Sequence, residues 1–329
     1  MISGREMKQR LILFLFTAPF WAWGILSFLY GSLDRTSTLI LATTYGLWHV
    51  SCFFRKKLAH VVRGILIAGL LPLFGFFSLM QPALVRDWQA DVAELPYATI
   101  SNNIVTVYNV RNCTYTTATL YTPSFETRRY DLNTVRTLDV FLVDWGIHAI
   151  AHTMVSFGFA DGQYLCFSIE ARKKKGDSYS SIRGFFRQYE LIYIAGDERD
   201  LVRLRTNFRT NEMTRLYPIT KAKPDLIKAM FMGYLARINA LHTQPEWYNA
   251  VSQNCMGGFT DLLKREGIPG YTQWHWSSVL TGYAADHAYT IGALDRTLSF
   301  DALQQQTLIN EKALNAGDAV DFSTRIRAR

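Results

Sequence analysis

A cysteine and a histidine are the residues in this sequence best placed to do chemistry. Cys255 closes the run Tyr248-Asn249-Ala250-Val251-Ser252-Gln253-Asn254-Cys255 and precedes Gly257-Gly258 and a helix-like stretch from Phe259 to Arg265. Upstream, His152 opens a strand-like run, His-Thr-Met-Val-Ser-Phe-Gly-Phe. A thiol at a helix start and an imidazole at a strand start suit thiol acyl transfer. The first helix amides and the dipole favour a thiolate, and the imidazole moves the proton. Asn254 is placed to cap the helix; with Gln253 and the leading amides it is the candidate oxyanion and substrate contact. Gly257 and Gly258 leave room for substrate. The plainer reading is a small buried thiol capping a core helix.

The partners of such a pair follow from strand alternation. His152, Met154, Ser156 and Gly158 share one face, while Thr153, Val155, Phe157 and Phe159 form the better core face. Beyond the turn Ala160-Asp161-Gly162, Cys166, Ser168 and Glu170 share a face of the next strand. Glu170 is the candidate group to orient the imidazole; its alternative is a surface pair with Arg172 or a lysine. His148 and His152 stand four apart, but no Glu follows the first and no third ligand is evident, so no metal site is expected. Gly196-Asp197-Glu198-Arg199-Asp200, followed by Arg203 and Arg205, reads as a solvated turn, with an anion site as the alternative. Trp274-His275-Trp276 reads as packing, with a membrane-interface patch as the alternative.

The elements that must hold these residues begin outside the membrane. Residues 11–33, 37–54 and 64–85 lack Asp, Glu, Lys and Arg, with only Asp34 and Arg35 charged between the first two, and each is near the length of a bilayer-spanning helix. Three transmembrane helices are expected over 1–85. The first is too long, and lacks the small-residue exit, for a cleaved signal peptide. Arg5, Lys8 and Arg10 precede the first span; Arg55, Lys56, Lys57 and Arg63 lie between the second and third. Basic loops stay cytoplasmic, so the N-terminus is inside and the chain beyond 85 is exported, periplasmic in a bacterium with an inner membrane. The net charge of +8 divides into +6 over residues 1–85 and +2 over the remainder. The basicity is topogenic, and a nucleic-acid partner is not expected.

In the exported part, 86–103 reads as a linker, 104–300 as one α+β domain and 301–329 as a tail whose surface helix fades into a polar, basic end. Strands are expected at Ile104–Val110, Tyr115–Tyr121, Leu138–Val143, His152–Phe159, Gln163–Ala171, Leu191–Ile194 and Leu201–Leu204. A helix is expected from Asp225 to His242 and another from near Cys255. Exported thiols can pair, so Cys113 with Cys166 is the candidate disulfide if Cys255 stays free; the alternative is two buried thiols.

Several segments, in this order, resemble the Lnb N-terminal periplasmic domain family. They are Val110-Arg111-Asn112, Ala151 to Phe159, Ile169-Glu170-Ala171-Arg172, Gly196 to Asp200, Leu204-Arg205-Thr206-Asn207, Leu216-Tyr217-Pro218, and Tyr248-Asn249 with Asn254-Cys255. The quoted segments run from residue 110 to 255 within a resemblance that covers roughly residues 104–295. The resemblance implies a circularly permuted papain-like fold, as in lecithin retinol acyltransferase, and lipoprotein N-acyltransferase chemistry. Cys255 is then the nucleophile, His152 the base and Glu170 the orienter, with no cofactor. The family often carries small hydroxyl residues after the Asn-Cys pair, where this chain has Met256-Gly257-Gly258.

Three readings follow. The first is a membrane-anchored cysteine acyltransferase acting on membrane lipid or lipoprotein through a thioester. The second is a cysteine amidase or peptidase acting on envelope amides. The third is a non-catalytic envelope binding protein. An apolar pocket favours the first, an open polar groove the second, and a thiol beyond reach of the imidazole the third.

Overall fold

The computed structural model of the chain describes residues 4–30, 35–53, 64, 75, 77–251 and 253–328. These fall into two compact units, Met1–Pro82 with Ser180–Gln188, and Ala83–Tyr179 with Tyr189–Arg329. In the first, α1 (Gly4–Leu29) packs on α2 (Arg35–Phe53) through Trp21, Phe28, Ala42 and Tyr45. A side chain at Gly24 would strike the Tyr45 ring, so glycine permits this close approach. Leu11, Ile12, Leu15, Phe16 and Phe20 face outward, which suits lipid rather than water. Among the described residues one helix is long and apolar enough to cross a membrane, over Met7–Leu29. The second expected span corresponds to α2. Most of the third, 64–85, lies outside the described residues; Phe77 to Leu79 are helical and the helix has ended by Met80.

The second unit is α+β, as expected. Its main sheet contains β1 (Tyr97–Ser101), β2 (Ile104–Arg111), β5 (Phe125–Asp131), β6 (Val135–Asp144), β7 (Ala151–Phe159), β8 (Tyr164–Arg172), β9 (Glu190–Gly196) and β10 (Met213–Pro218). The order is β1-β2-β9-β8-β7-β6-β10, with β5 also paired to β2. All pairs are antiparallel except the short parallel contact of β2 with β9. β3 (Thr114–Tyr115) and β4 (Tyr121–Thr122) form a separate ribbon.

Both faces of the sheet are covered, which follows from near-continuous apolar strands such as Val140-Phe141-Leu142-Val143. Val140, Leu142, Val155, Phe157 and Phe167 face α4 (Pro224–Thr243), α5 (Cys255–Arg265) and α6 (Ala284–Thr290). Phe141, Val143, Met154, Cys166 and Ile192 face the opposite cluster, which includes Leu201 and Val202 of α3 (Glu198–Arg203).

The packing on the two faces overturns three expectations. The segment Leu201–Leu204 is helical rather than a strand, because Asp197 caps α3 by accepting from the Arg199 amide at 2.8 Å. The stretch 301–329 is not a fading tail: Ile309, Ala313, Phe322 and Ile326 are buried on the sheet. The presumed linker ends in β1, whose Ala98 hydrogen-bonds Asn239 of α4 through both backbone groups. The Cys113–Cys166 disulfide is also not formed. The two thiols are free and buried in different clusters.

Candidate active site

Strand β7 sets the geometry. It pairs with β6 from its first residue, Asp144 opposite Ala151 and Val143 opposite His152. On its other side, pairing with β8 begins only at Met154 opposite Ser168. The first residues of β7 therefore have backbone groups free on that side. Thr281 takes part of this edge: its hydroxyl accepts from the Ala151 amide at 2.9 Å and donates to the Ala151 carbonyl at 2.6 Å. The Cys255 sulfur takes the rest, 3.9 Å from the Ala151 carbonyl oxygen.

Cys255 is the first residue of α5, half-buried against the core that the helix covers. Asn254 is the expected cap. Its Oδ1 accepts from the Gly257 amide at 2.7 Å, and its Nδ2 faces the carbonyls of Ala250, Val251 and Ser278. The cap thus uses the whole Asn254 amide and leaves no donor for an oxyanion, contrary to expectation. Gln253 donates its backbone amide to the Asn249 carbonyl, while its side-chain Oε1 is buried without a partner among the described residues. The amides of Cys255 and Met256, in the first turn, are the donors that helix geometry leaves unpaired. Gly258 serves packing rather than substrate, since a Cβ there would meet the Tyr193 hydroxyl and Ile169.

Burial pushes the Cys255 thiol up. The Thr153 amide and hydroxyl and the first helix amides pull the other way without cancelling it. The helix start alone does not make a thiolate here, contrary to what the sequence suggested. The Thr153 hydroxyl has no other partner among the described residues.

His152 lies on the opposite side chain phase to Thr153, as expected, and enters a hydrogen-bonded chain. Its Nε2 is 2.8 Å from the Ser168 hydroxyl, which donates to Glu170 Oε1 at 2.8 Å. Glu170 is 3.6 Å from the same Nε2, so Ser168 is the direct link and Glu170 stands behind it. Burial works against ionisation of Glu170. Arg205, at 3.3 Å, outweighs it with help from Ser168 and holds the carboxyl far below its usual range. Arg205 comes from a π-helical turn, Leu204–Phe208, and is itself paired with Glu212. Burial pushes the His152 imidazole down to about 3; Arg205 adds to this and Glu170 opposes it.

Proton positions follow from these partners. Ser168 gives its only proton to an ionised Glu170, so its oxygen accepts from Nε2–H. That tautomer leaves a lone pair on Nδ1, which makes no hydrogen bond among the described residues. No hydrogen bond joins the ring to the Cys255 sulfur either. Sequence reasoning brought His152, Glu170 and Cys255 to one end of β7 but missed Ser168, Thr281 and Arg205. Ser168 had a signal, since it shares a strand face with Glu170. Thr281 had none, being 130 residues from Ala151.

The charged run at Asp197–Asp200 is neither a solvated turn nor an anion site. Asp200 is fully buried, bidentate with Arg111 at 2.9 Å and bonded to Tyr115 and the Cys113 amide. In the Trp274-His275-Trp276 triplet Trp274 is 74% exposed, whereas His275 stacks on His287 at 3.8 Å and Trp276 meets Tyr283 edge-on at 5.0 Å, so the packing reading holds for the last two residues.

A family model described as the Lnb N-terminal periplasmic domain matches residues 121–281. Cys255, His152, Ser168, Glu170, Arg205 and Thr281 all fall within it. With the apolar helix Gly4–Leu29, the match fits a periplasmic domain on a membrane anchor. No curated protein and no solved structure gives a match.

Proposed function

Because residues 121–281 belong to the Lnb N-terminal periplasmic domain family, we propose that this protein is a membrane-anchored cysteine acyltransferase acting on bacterial lipoprotein or membrane lipid. The observation that carries the reading is the half-buried Cys255 thiol at the start of α5, at the same strand end as an imidazole held in one tautomer by Ser168 and Glu170. The permuted papain-like fold, the three-helix anchor and the inner-membrane topology with the N-terminus inside belong to the same proposal.

In this mechanism the resting pair is a neutral thiol and a neutral imidazole. Substrate binding brings Nδ1 to the sulfur; such contacts are often long before substrate arrives. The sulfur attacks the ester carbonyl as Nδ1 takes the thiol proton. The Cys255 and Met256 amides face the developing oxyanion. The C–O bond breaks, Nδ1 returns the proton to the departing alcohol, and a thioester remains. An acceptor amine then forms the C–N bond, the C–S bond breaks, and the amine proton passes through Nδ1 to the sulfur. Glu170 and Ser168 steady the imidazolium formed in each half-reaction.

Replacing Cys255 with Ala and reading lipoprotein N-termini by mass spectrometry tests the proposal. The expected result is loss of the transferred acyl group; unchanged acylation would sink it. Two observations favour the other readings. A polar cleft of about 180 Å³, lined by Arg237, Glu246, Gln253 and Asp261, suits an amide substrate and a hydrolase. The absent sulfur–imidazole bond suits a non-catalytic binding protein. Release of free acid instead of acyl-amine marks the hydrolase, and failure of Cys255 to form any thioester marks the binding protein.

A further inference from the structure

We infer that an apolar cavity of the second unit is the chamber for the acyl chain carried by Cys255, an inference that rests on the transferase reading for its chemistry but not for its occupant. The cavity holds about 470 Å³, within the range of small-molecule sites. It lies between the β6 residues Leu138, Val140 and Leu142 and the helices α5 and α6. Met256, the residue that follows Cys255, lines it together with Ser277, and Cys255 itself packs on the same apolar cluster, so the cavity lies beside the first turn of α5. From Met256 to Leu263 it follows α5 for two turns, about 10 Å at 1.5 Å per residue.

The lining selects hydrocarbon over peptide. It contains no Asp or Glu, and its two lysines are Lys221 and Lys223. The two lining hydroxyls from the Cys255 side are already engaged, Thr260 with the Gly257 carbonyl and Ser277 with His275. A peptide side chain would bring backbone N–H and C=O groups that find few partners there, and each unpaired group is costly. A methylene chain asks for no partner. Cavities of this size with apolar walls weaken a fold when nothing fills them, and a transiently bound chain offsets that.

The width is set by small residues. Ala284, Ala285 and Ala288 present their methyl groups from α6, and replacing one with a large side chain fills the chamber from the wall. The full chain in nanodiscs is irradiated with a palmitic acid bearing a diazirine near its chain end, and adducts are located by peptide mass spectrometry. Adducts are expected within residues 256–263 and 284–294, equally in Cys255→Ala, and at least tenfold fewer in Ala288→Phe. In parallel, thioester formation on Cys255 is followed with p-nitrophenyl esters from C4 to C16. Ala288→Phe is expected to slow C16 at least tenfold relative to C4. Ala285→Leu, a milder filling, gives the same direction if Ala288→Phe does not fold.

Adducts confined to residues 4–53, or adducts and chain preference unmoved by both variants, overturn the chamber. If a thioester forms while the chamber fails these criteria, the transferase reading stands without it. If the chamber labels in wild type and Cys255→Ala but no ester ever acylates Cys255, the chamber stands and the transferase reading falls.

Discussion

Two carboxylates on the same face of one sheet are built alike and end differently. Glu198 accepts from Ser156 on β7 and pairs with Arg327 at 2.7 Å, which also holds Asp139. Glu170 accepts from Ser168 on β8 and pairs with Arg205, which also holds Glu212. Each is a serine, a glutamate and an arginine shared with a second acid. The Glu198 set closes on itself: its carboxylate is fully buried, and the Arg327 guanidinium is spread over Glu198, Asp139 and the Ser323 carbonyl. The Glu170 set ends on His152, whose second nitrogen makes no hydrogen bond among the described residues. A closed set holds the fold together. An open set holds one group in readiness.

Arg327→Ala breaks the closed set and carries the largest expected effect. It strands two acids beside the core, and removing one partner of a buried pair costs about 3–5 kcal/mol. The urea midpoint should fall accordingly, with Ile326 and Phe322 losing hydrogen-exchange protection first. A shift under about 1 kcal/mol would mean that the last residues are not part of the fold.

His152→Ala breaks the open set. Its expected cost is a 10²–10⁴-fold slower formation of the Cys255 thioester, the usual worth of a positioned base. It also changes the pH dependence of stability. His152 is pushed down to about 3 in the folded protein, below its value in an unfolded chain, so the unfolded state binds the proton more readily. The stability it contributes is complete above about pH 6.5 and is lost as pH falls from there toward 3, at up to about 1.4 kcal/mol per unit. The held-down Glu170 acts in the same direction at lower pH, below the ordinary carboxylate range. Chemical denaturation at pH 7, 6 and 5 should show the slope in wild type and a flatter one in His152→Ala. Equal slopes would contradict the buried, neutral imidazole.

The difference between the two sets explains what the sequence could tell. Alternation across the β7–β8 hairpin placed His152 and Glu170 to face each other from adjacent strands, and the asparagine before Cys255 announced a helix start; both follow from local spacing. The closed set was unreadable, because it joins Glu198 and Asp139 to Arg327, which lies 129 and 188 residues further along the chain. A dense charged run such as Asp197–Asp200 looks solvated until distant arginines are seen to bury it. The final helices were misread for the same reason. Phe322 and Ile326 are sparse in their own segment and become core only against Phe141 and Met154. The Cys113–Cys166 pairing failed because export permits a disulfide without bringing two sulfurs together.

The three thiols of the second unit offer a smaller effect. Cys113 and Cys166 are buried, and Cys255 is half-exposed at a helix start. Burial raises all three, Cys113 to about 11. Iodoacetamide should alkylate Cys255 ahead of the other two in the folded domain. Its rate should rise about tenfold per pH unit through neutrality, since only the thiolate reacts and the thiol sits above that range. A rate flat from pH 6 to 8 would instead reveal a preformed thiolate and reverse the neutral-pair mechanism.

The finest comparison is between the two serines. Ser156→Ala and Ser168→Ala each remove one buried hydroxyl that donates to a glutamate. A hydrogen bond to a charged acceptor is worth about 1.5–3 kcal/mol, and that loss is expected at both sites in the denaturation midpoint. Only Ser168 also receives the Nε2 proton of His152. Its removal lets the ring exchange tautomers and turn toward Glu170, so Ser168→Ala should slow thioester formation about tenfold while Ser156→Ala leaves the rate unchanged. Ser168→Thr, which keeps the hydroxyl, should recover the rate. If both alanine variants slow the reaction alike, the loss is one of stability, and the open set has no more part in the chemistry than the closed one.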